Sequence, residues 1–164
     1  MVLYNMSTMQ NMSQSYQQFA GSTMGQEPFV VLVYADWCGH CRDFHPLWKE
    51  MLSDPSSPVN GVEVEESVFK HLTSAHPDNA LAKIISGTRA YPNIITVTPE
   101  LETSEYTGKR DRQSFASALQ HHAASKPAAP AKKAAATPAK KSPATPAKKS
   151  PATLAKKSAA KKTH

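Results

Sequence analysis

Cys38 and Cys41 stand three positions apart and are the two cysteines of the 164-residue chain. Thiols at that spacing on the first turn of a helix can close and reopen a disulfide with each other. The residues around them supply that setting. Phe29-Val-Val-Leu-Val-Tyr34 is a continuous apolar, β-branched and aromatic run, the pattern of a strand covered on both faces. From Asp36 to Ser53 the residues Cys41, Phe44, Trp48, Met51 and Leu52 recur on one helical side, and Pro46 inside that stretch predicts a kink. A strand therefore runs into Cys38-Gly39-His40-Cys41, and the dithiol opens the helix. Cys38 would lie where unpaired backbone N–H groups and the positive helix end favour a thiolate. His40, when protonated, would favour the reduced dithiol with Cys38 ionised. Cys38 is the expected exposed nucleophile, and Cys41, one turn in, the buried resolving thiol.

A single CxxC can also be half of a zinc site, completed here by His40, His45 or His71. That reading is disfavoured, because no second CxxC exists and His40 lies between the two cysteines. The expectation is no metal, and no cofactor besides the redox-active disulfide. His45 reads as a solvated or core-edge residue, His121 and His122 as incidental, and Trp37 and Trp48 as packing residues before anything else.

The elements needed to hold the dithiol can be traced along the rest of the chain. Residues 1–12 are polar and unpatterned and read as a flexible N-terminus, followed by a short helix from Ser13 to Ala20. Asp54 to Gly61 is a turn-rich loop. Val62 to Phe69 alternates apolar and acidic residues and reads as a strand, whereas Phe69 to Pro77 has no clear pattern. Asp78 would cap a helix running to Ser86 with Leu81, Ile84 and Ile85 inward. Asn93–Val97 and Leu101–Thr107 read as a hairpin, and Asp111–Ala124 as a closing helix carrying Phe115, Leu119 and His122 on one face. This order predicts an α/β domain over residues 13–124, with a mixed sheet of about four strands and helices on both faces.

Tyr34-Ala-Asp-Trp-Cys-Gly-His-Cys41 resembles the thioredoxin superfamily, and specifically the catalytic domains of the protein disulfide isomerase type, whose motif is WCGHC. Pro46 falls eight residues after Cys38, at the place of that family's helix proline. Tyr91-Pro92-Asn93-Ile94 resembles its Tyr-Pro-Thr-Ile, and Tyr106-Thr-Gly-Lys-Arg110 its Tyr-x-Gly-x-Arg. The resemblance implies a thioredoxin-like three-layer fold and thiol–disulfide exchange with protein substrates. Cys38 and Cys41 would be the catalytic pair, tuned by His40. Pro92 would be cis, facing the dithiol, and with Tyr91 would bind extended substrate; Trp37 and Gly39, beside Cys38, belong to the same expected surface. There are departures from the pattern. The buried acid that the family carries six residues before the first cysteine is Leu32 here, which implies slower release of mixed disulfides. Ala90 and Asn93 replace the usual Gly and Thr beside the proline.

The net charge of +6 hides a division. Residues 126–164 contain 11 lysines and no acidic residue, while residues 1–125 hold the other 8 basic residues and all 13 acidic ones, leaving −5. An acidic body excludes a uniformly basic nucleic-acid-binding domain. In the tail, residues 125–164, lysine pairs recur at Lys132-Lys133, Lys140-Lys141, Lys148-Lys149 and Lys156-Lys157 among Ala, Pro, Ser and Thr. Such a segment buries too little to order itself and is expected to be disordered. It resembles linker-histone tails and repeats on proteins of large algal DNA viruses, which implies association with nucleic acid or another polyanion, in a nucleus or a virion. The bland alternative is a solubilising tail.

The N-terminus has neither a basic n-region nor an apolar h-region, and no run approaches 18 apolar residues, so the expectation is a soluble chain of the cytoplasm or nucleus with no membrane partner. Taken together, the residues point to a thiol–disulfide oxidoreductase. The competing reading is a nucleic-acid- or virion-associated binding protein that uses the body as a platform.

Overall fold

The computed structural model describes residues 1–124, so the expectations for the lysine-rich tail lie outside the described residues. Ten elements run in chain order: β1 (Leu3–Met6), α1 (Met9–Ser22), β2 (Phe29–Tyr34), α2 (Gly39–Ser53), β3 (Asn60–Glu65), α3 (Glu66–Ala75), α4 (Ala80–Ile85), β4 (Asn93–Val97), β5 (Thr103–Glu105) and α5 (Arg112–Ala124). The strands form one mixed sheet in the order β1-β3-β2-β4-β5. β3 runs parallel to both β1 and β2, while β4 is antiparallel to β2 and to β5. Among the described residues no helix is long and apolar enough to cross a membrane.

β2 lies in the middle of the sheet with all six residues buried, so its side chains build two cores in alternation. Phe29, Val31 and Val33 join Tyr4, Met6, Phe19, Val62, Val64, Leu72 and Ile85 on the face covered by α1, α3 and α4. Val30, Leu32 and Tyr34 join Cys41, Phe44, Trp48, Leu52, Phe115 and Leu119 on the face covered by α2 and α5. Each fully buried Phe, Leu or Val side chain contributes about 1.5–3 kcal/mol relative to exposure. The dithiol thus belongs to a packed layer and not to a loose loop. α2 lies so close to the sheet at Gly61 that a Cβ there would run into the side chains of Leu52 and Leu3.

The first dozen residues are not frayed. Leu3–Met6 pairs with Gly61–Val64, and Tyr4 and Met6 point into the core. The sheet consequently has five strands, not about four. The ladder hydrogen bonds and the two buried side chains hold this four-residue strand against β3. α1 starts at Met9, earlier than expected, because Thr8 caps it: its side chain accepts from Asn11 N–H while Asn11 reaches back to the Thr8 N–H.

Other boundaries shift for equally local reasons. The alternation after Val62 ends at Glu65, whose carboxylate accepts from Ser67 N–H and starts α3, which covers most of the stretch without a clear sequence pattern. Asn79 replaces Asp78 as the cap of α4, accepting from Leu81 and Ala82 N–H groups. Ala82 turns inward there while Ile84 stays half-buried. Leu101 adopts φ 65°, a left-handed turn conformation that costs a leucine steric energy, so the last strand starts only at Thr103.

His122 is not incidental. Its ring is buried, and Nε2 lies 3.0 Å from both the Phe29 and Val97 carbonyl oxygens, tying α5 to the start of β2 and the end of β4.

Candidate active site

α2 begins at the dithiol. Cys38 is its N-cap with extended backbone (φ −82°, ψ 116°), and the Cys41 N–H points at Cys38 Sγ from 3.3 Å. The Cys38 N–H donates to the Ala35 carbonyl, and the Arg42 N–H to the Cys38 carbonyl, so the turn carrying the sulfurs is fixed on both sides. The N-cap sulfur thus takes up one of the backbone N–H groups left unpaired at the start of the helix. Both cysteines are free thiols.

Cys38 is 8% exposed and Cys41 2%. The order of accessibility is the expected one, but Cys38 is far from freely exposed, because its Sγ packs 3.6 Å from the Tyr91 carbonyl oxygen and donates to it. Burial, followed by the hydrogen bond with Cys38, pushes the Cys41 thiol up to about 12, with the Ala35 backbone and the Arg110 charge pulling the other way. Cys41 therefore needs a partner to take its proton before it can act as a nucleophile.

The Tyr91–Pro92 peptide bond is cis, as the resemblance implies. Tyr91 reaches the dithiol through its carbonyl, and Pro92 is buried beside it. Arg110 Nη2 donates to the Pro92 carbonyl across 3.1 Å, linking the Tyr-x-Gly-x-Arg segment to this loop. Gly39 and His40 are exposed on the first turn of α2, and His40, Asp43, Phe44 and Arg110 line one surface depression.

The two tryptophans part company. Trp48 is fully buried against Phe44 and Phe115, whereas Trp37 is 69% exposed. Trp37 is nonetheless held in place: its Nε1 donates to Glu66 Oε2 at 2.6 Å, and its ring meets Tyr91 edge-on with centroids 6.0 Å apart. The indole is thus exposed and oriented, and not part of the core.

Glu63, to which sequence reasoning gives no role, stands close to the site. It lies on β3, fully buried and in register with Leu32, so the two side chains share the α2 face of the sheet. Its Oε2 lies 2.9 Å from His45 Nε2, and Asn5 Nδ2 donates to Oε1. The acid missing from position 32 has a counterpart one strand away. A strand flanked by two parallel neighbours is covered on both faces; with β1 recognised, Glu63 reads as buried. His71 rings against His76, and no group of three or more His, Cys, Asp and Glu is arranged to hold a metal among the described residues.

A family model described as Thioredoxin matches residues 8–121. The chain is 27% identical over 88 residues to "Protein disulfide-isomerase like 2-2" of Arabidopsis thaliana, 52% of this chain and 17% of that protein. It is 28% identical over 99 residues to "Protein disulfide-isomerase tigA" of Aspergillus niger, 59% of this chain and 26% of that protein. The chain therefore spans about a fifth of the length of these curated relatives. Among solved structures it superposes on the J-Trx1 fragment of ERdj5 with a TM-score of 0.55 at 18% identity, covering 75% of this chain and 52% of that one. It superposes on the first thioredoxin domain of mouse Protein disulfide-isomerase A4 with a TM-score of 0.51 at 18% identity, covering 82% and 84%. Those likenesses show the fold, and the family model spans the strand, helix and loop that meet at the dithiol. The chain belongs to the thioredoxin family.

Proposed function

We propose that this chain is a thiol–disulfide oxidoreductase of the protein disulfide isomerase type, acting on protein thiols and disulfides. The observation that carries the reading is the contact between two free thiols at the start of α2, with the Cys41 N–H aimed at Cys38 Sγ. Cys38 attacks a substrate disulfide, one substrate sulfur leaves as thiolate, and a mixed disulfide forms. Cys41, once deprotonated, attacks Cys38 Sγ, forms the Cys38–Cys41 disulfide and expels the second substrate sulfur. Two electrons pass from the dithiol to the substrate, and the reverse sequence oxidises a substrate dithiol. Trp37 and the Tyr91–Pro92 loop hold the substrate segment, and His40 tunes Cys38 from the exposed side of the turn. The full chain should reduce insulin and reactivate scrambled ribonuclease, Cys38→Ser should abolish both, and Cys41→Ser should accumulate a mixed disulfide. Inactivity of the full chain in both assays overturns the proposal.

The lysine pairs from Lys132 to Lys157 are proposed, on the sequence, to associate with polyanions without base readout. If about six to ten lysines contact phosphate, binding to duplex DNA should weaken about 10³–10⁵-fold between roughly 50 and 200 mM salt. A titration whose affinity ignores salt refutes this.

A further inference from the structure

Cys41 is buried with its proton held, and the dithiol turn itself offers no carboxylate to remove it. A candidate acceptor is assembled from two directions. His45 lies four residues after Cys41 on α2, hence on the same side of the helix one turn along, where side chains at that spacing are neighbours. Glu63 rises from β3 to meet it, fully buried, with Oε2 at 2.9 Å from Nε2. Tyr34 on β2 adjoins both: its ring stacks on His45 at 4.5 Å, and its hydroxyl feels the charges of Glu63 and Cys41.

We propose that the buried Glu63–His45 pair is the proton acceptor for Cys41 in the resolving step, replacing an acid on β2. The proposal rests on the oxidoreductase reading above.

A fully buried carboxylate is costly, and a well-packed apolar residue in its place is often neutral or stabilising, so stability alone gives weak reason for Glu63. Its carboxylate is oriented on both oxygens, by His45 and by Asn5, whose own Oδ1 accepts from Ser7 and Asn11. With His45 Nε2–H donated to Glu63, the other ring nitrogen presents a lone pair. The His45 side chain is 19% exposed, so the proton it gains can pass on to solvent. In the resolving step the Cys41 S–H bond breaks and its proton goes to the pair. The sulfur's electron pair forms the bond to Cys38, and the electrons of the Cys38–substrate bond leave with the substrate sulfur. Other charges facing this region are Asp36 and Glu65, which act on Tyr34, and Arg110, which acts on Cys41. Burial and the Glu63 charge raise the Tyr34 hydroxyl well above its ordinary range, so it stays neutral beside the pair.

The test separates the two chemical steps in the full chain. Mixed-disulfide formation by Cys38 with a chromogenic aryl disulfide is followed first, then release by Cys41, each across pH. Glu63→Gln keeps shape and one hydrogen bond but removes the base, and should slow release about 10²-fold, the scale of general-base catalysis. The acidic limb of the release profile should vanish, and Glu63→Asp should restore part of both. His45→Gln, at a half-buried position, should slow release in the same way and carries the test if Glu63→Gln does not fold. Folded variants that release at the wild-type rate with the wild-type profile overturn the proposal. A wild-type chain that forms no mixed disulfide overturns the oxidoreductase reading instead.

Discussion

Leu32→Glu places an acid where the family resemblance looks for one, and the sheet register sets the consequence. Leu32 is 1% exposed and faces Glu63 across β2 and β3, on the side packed by α2. Side chains in register on adjacent strands stand about 5 Å apart at Cβ. Two ionised carboxylates at that distance repel by about 3 kcal/mol at an effective dielectric of about 20. Losing the buried leucine adds about 1.5–3 kcal/mol. The new carboxyl can avoid part of the repulsion by keeping its proton, so the net loss should be about 3–5 kcal/mol near neutral pH. A raised folded-state pKa at position 32 makes the penalty larger above the unfolded carboxylate range and relieves it as pH falls. Leu32→Gln, which loses the burial without gaining the charge, should show the smaller, nearly pH-independent loss. Urea unfolding of the reduced proteins at several pH values reads these differences. A Leu32→Glu chain within about 0.5 kcal/mol of wild type, a typical surface-substitution effect, would refute the placement of Glu63 beside Leu32.

The packing sets two further outcomes. The folded state holds the Cys41 proton up to about 12 while an ordinary thiol gives it up near 9.0, so the reduced protein should lose stability progressively across that interval. The contribution is complete below the lower value, and Cys41→Ala should lack this part of the slope in denaturant midpoints. Gly61→Ala sets a methyl into Leu52 and Leu3 and should cost about 1–3 kcal/mol by overpacking. An unchanged unfolding midpoint would show that α2 does not press on the sheet there.

How much of the molecule is legible in its residues depends on how locally each feature is encoded. β2 and the dithiol turn are legible because six consecutive apolar residues and a CxxC leave little choice. The cis bond at Tyr91–Pro92 is legible only through the resemblance. β1 is hidden because it is only four residues long, too short for the alternation of Tyr4 and Met6 about Asn5 to stand out as a period. Without that strand β3 becomes an apparent edge, and Glu63 a solvated acid. The contact of Glu63 with His45 joins residues 18 apart on different elements, a separation over which no periodicity carries information. Trp37 illustrates the opposite error: tryptophans are commonly buried, and only its place beyond the end of β2 leaves it outside.

The His122 clamp has a practical corollary. It grips the sheet where β2 starts and β4 ends, while Cys38 comes after the other end of β2. Six residues of strand, about 20 Å, separate those poles. A surface support or reporter grafted at Ala124, two residues past His122, would therefore sit at the pole of the sheet opposite the one that carries the sulfurs.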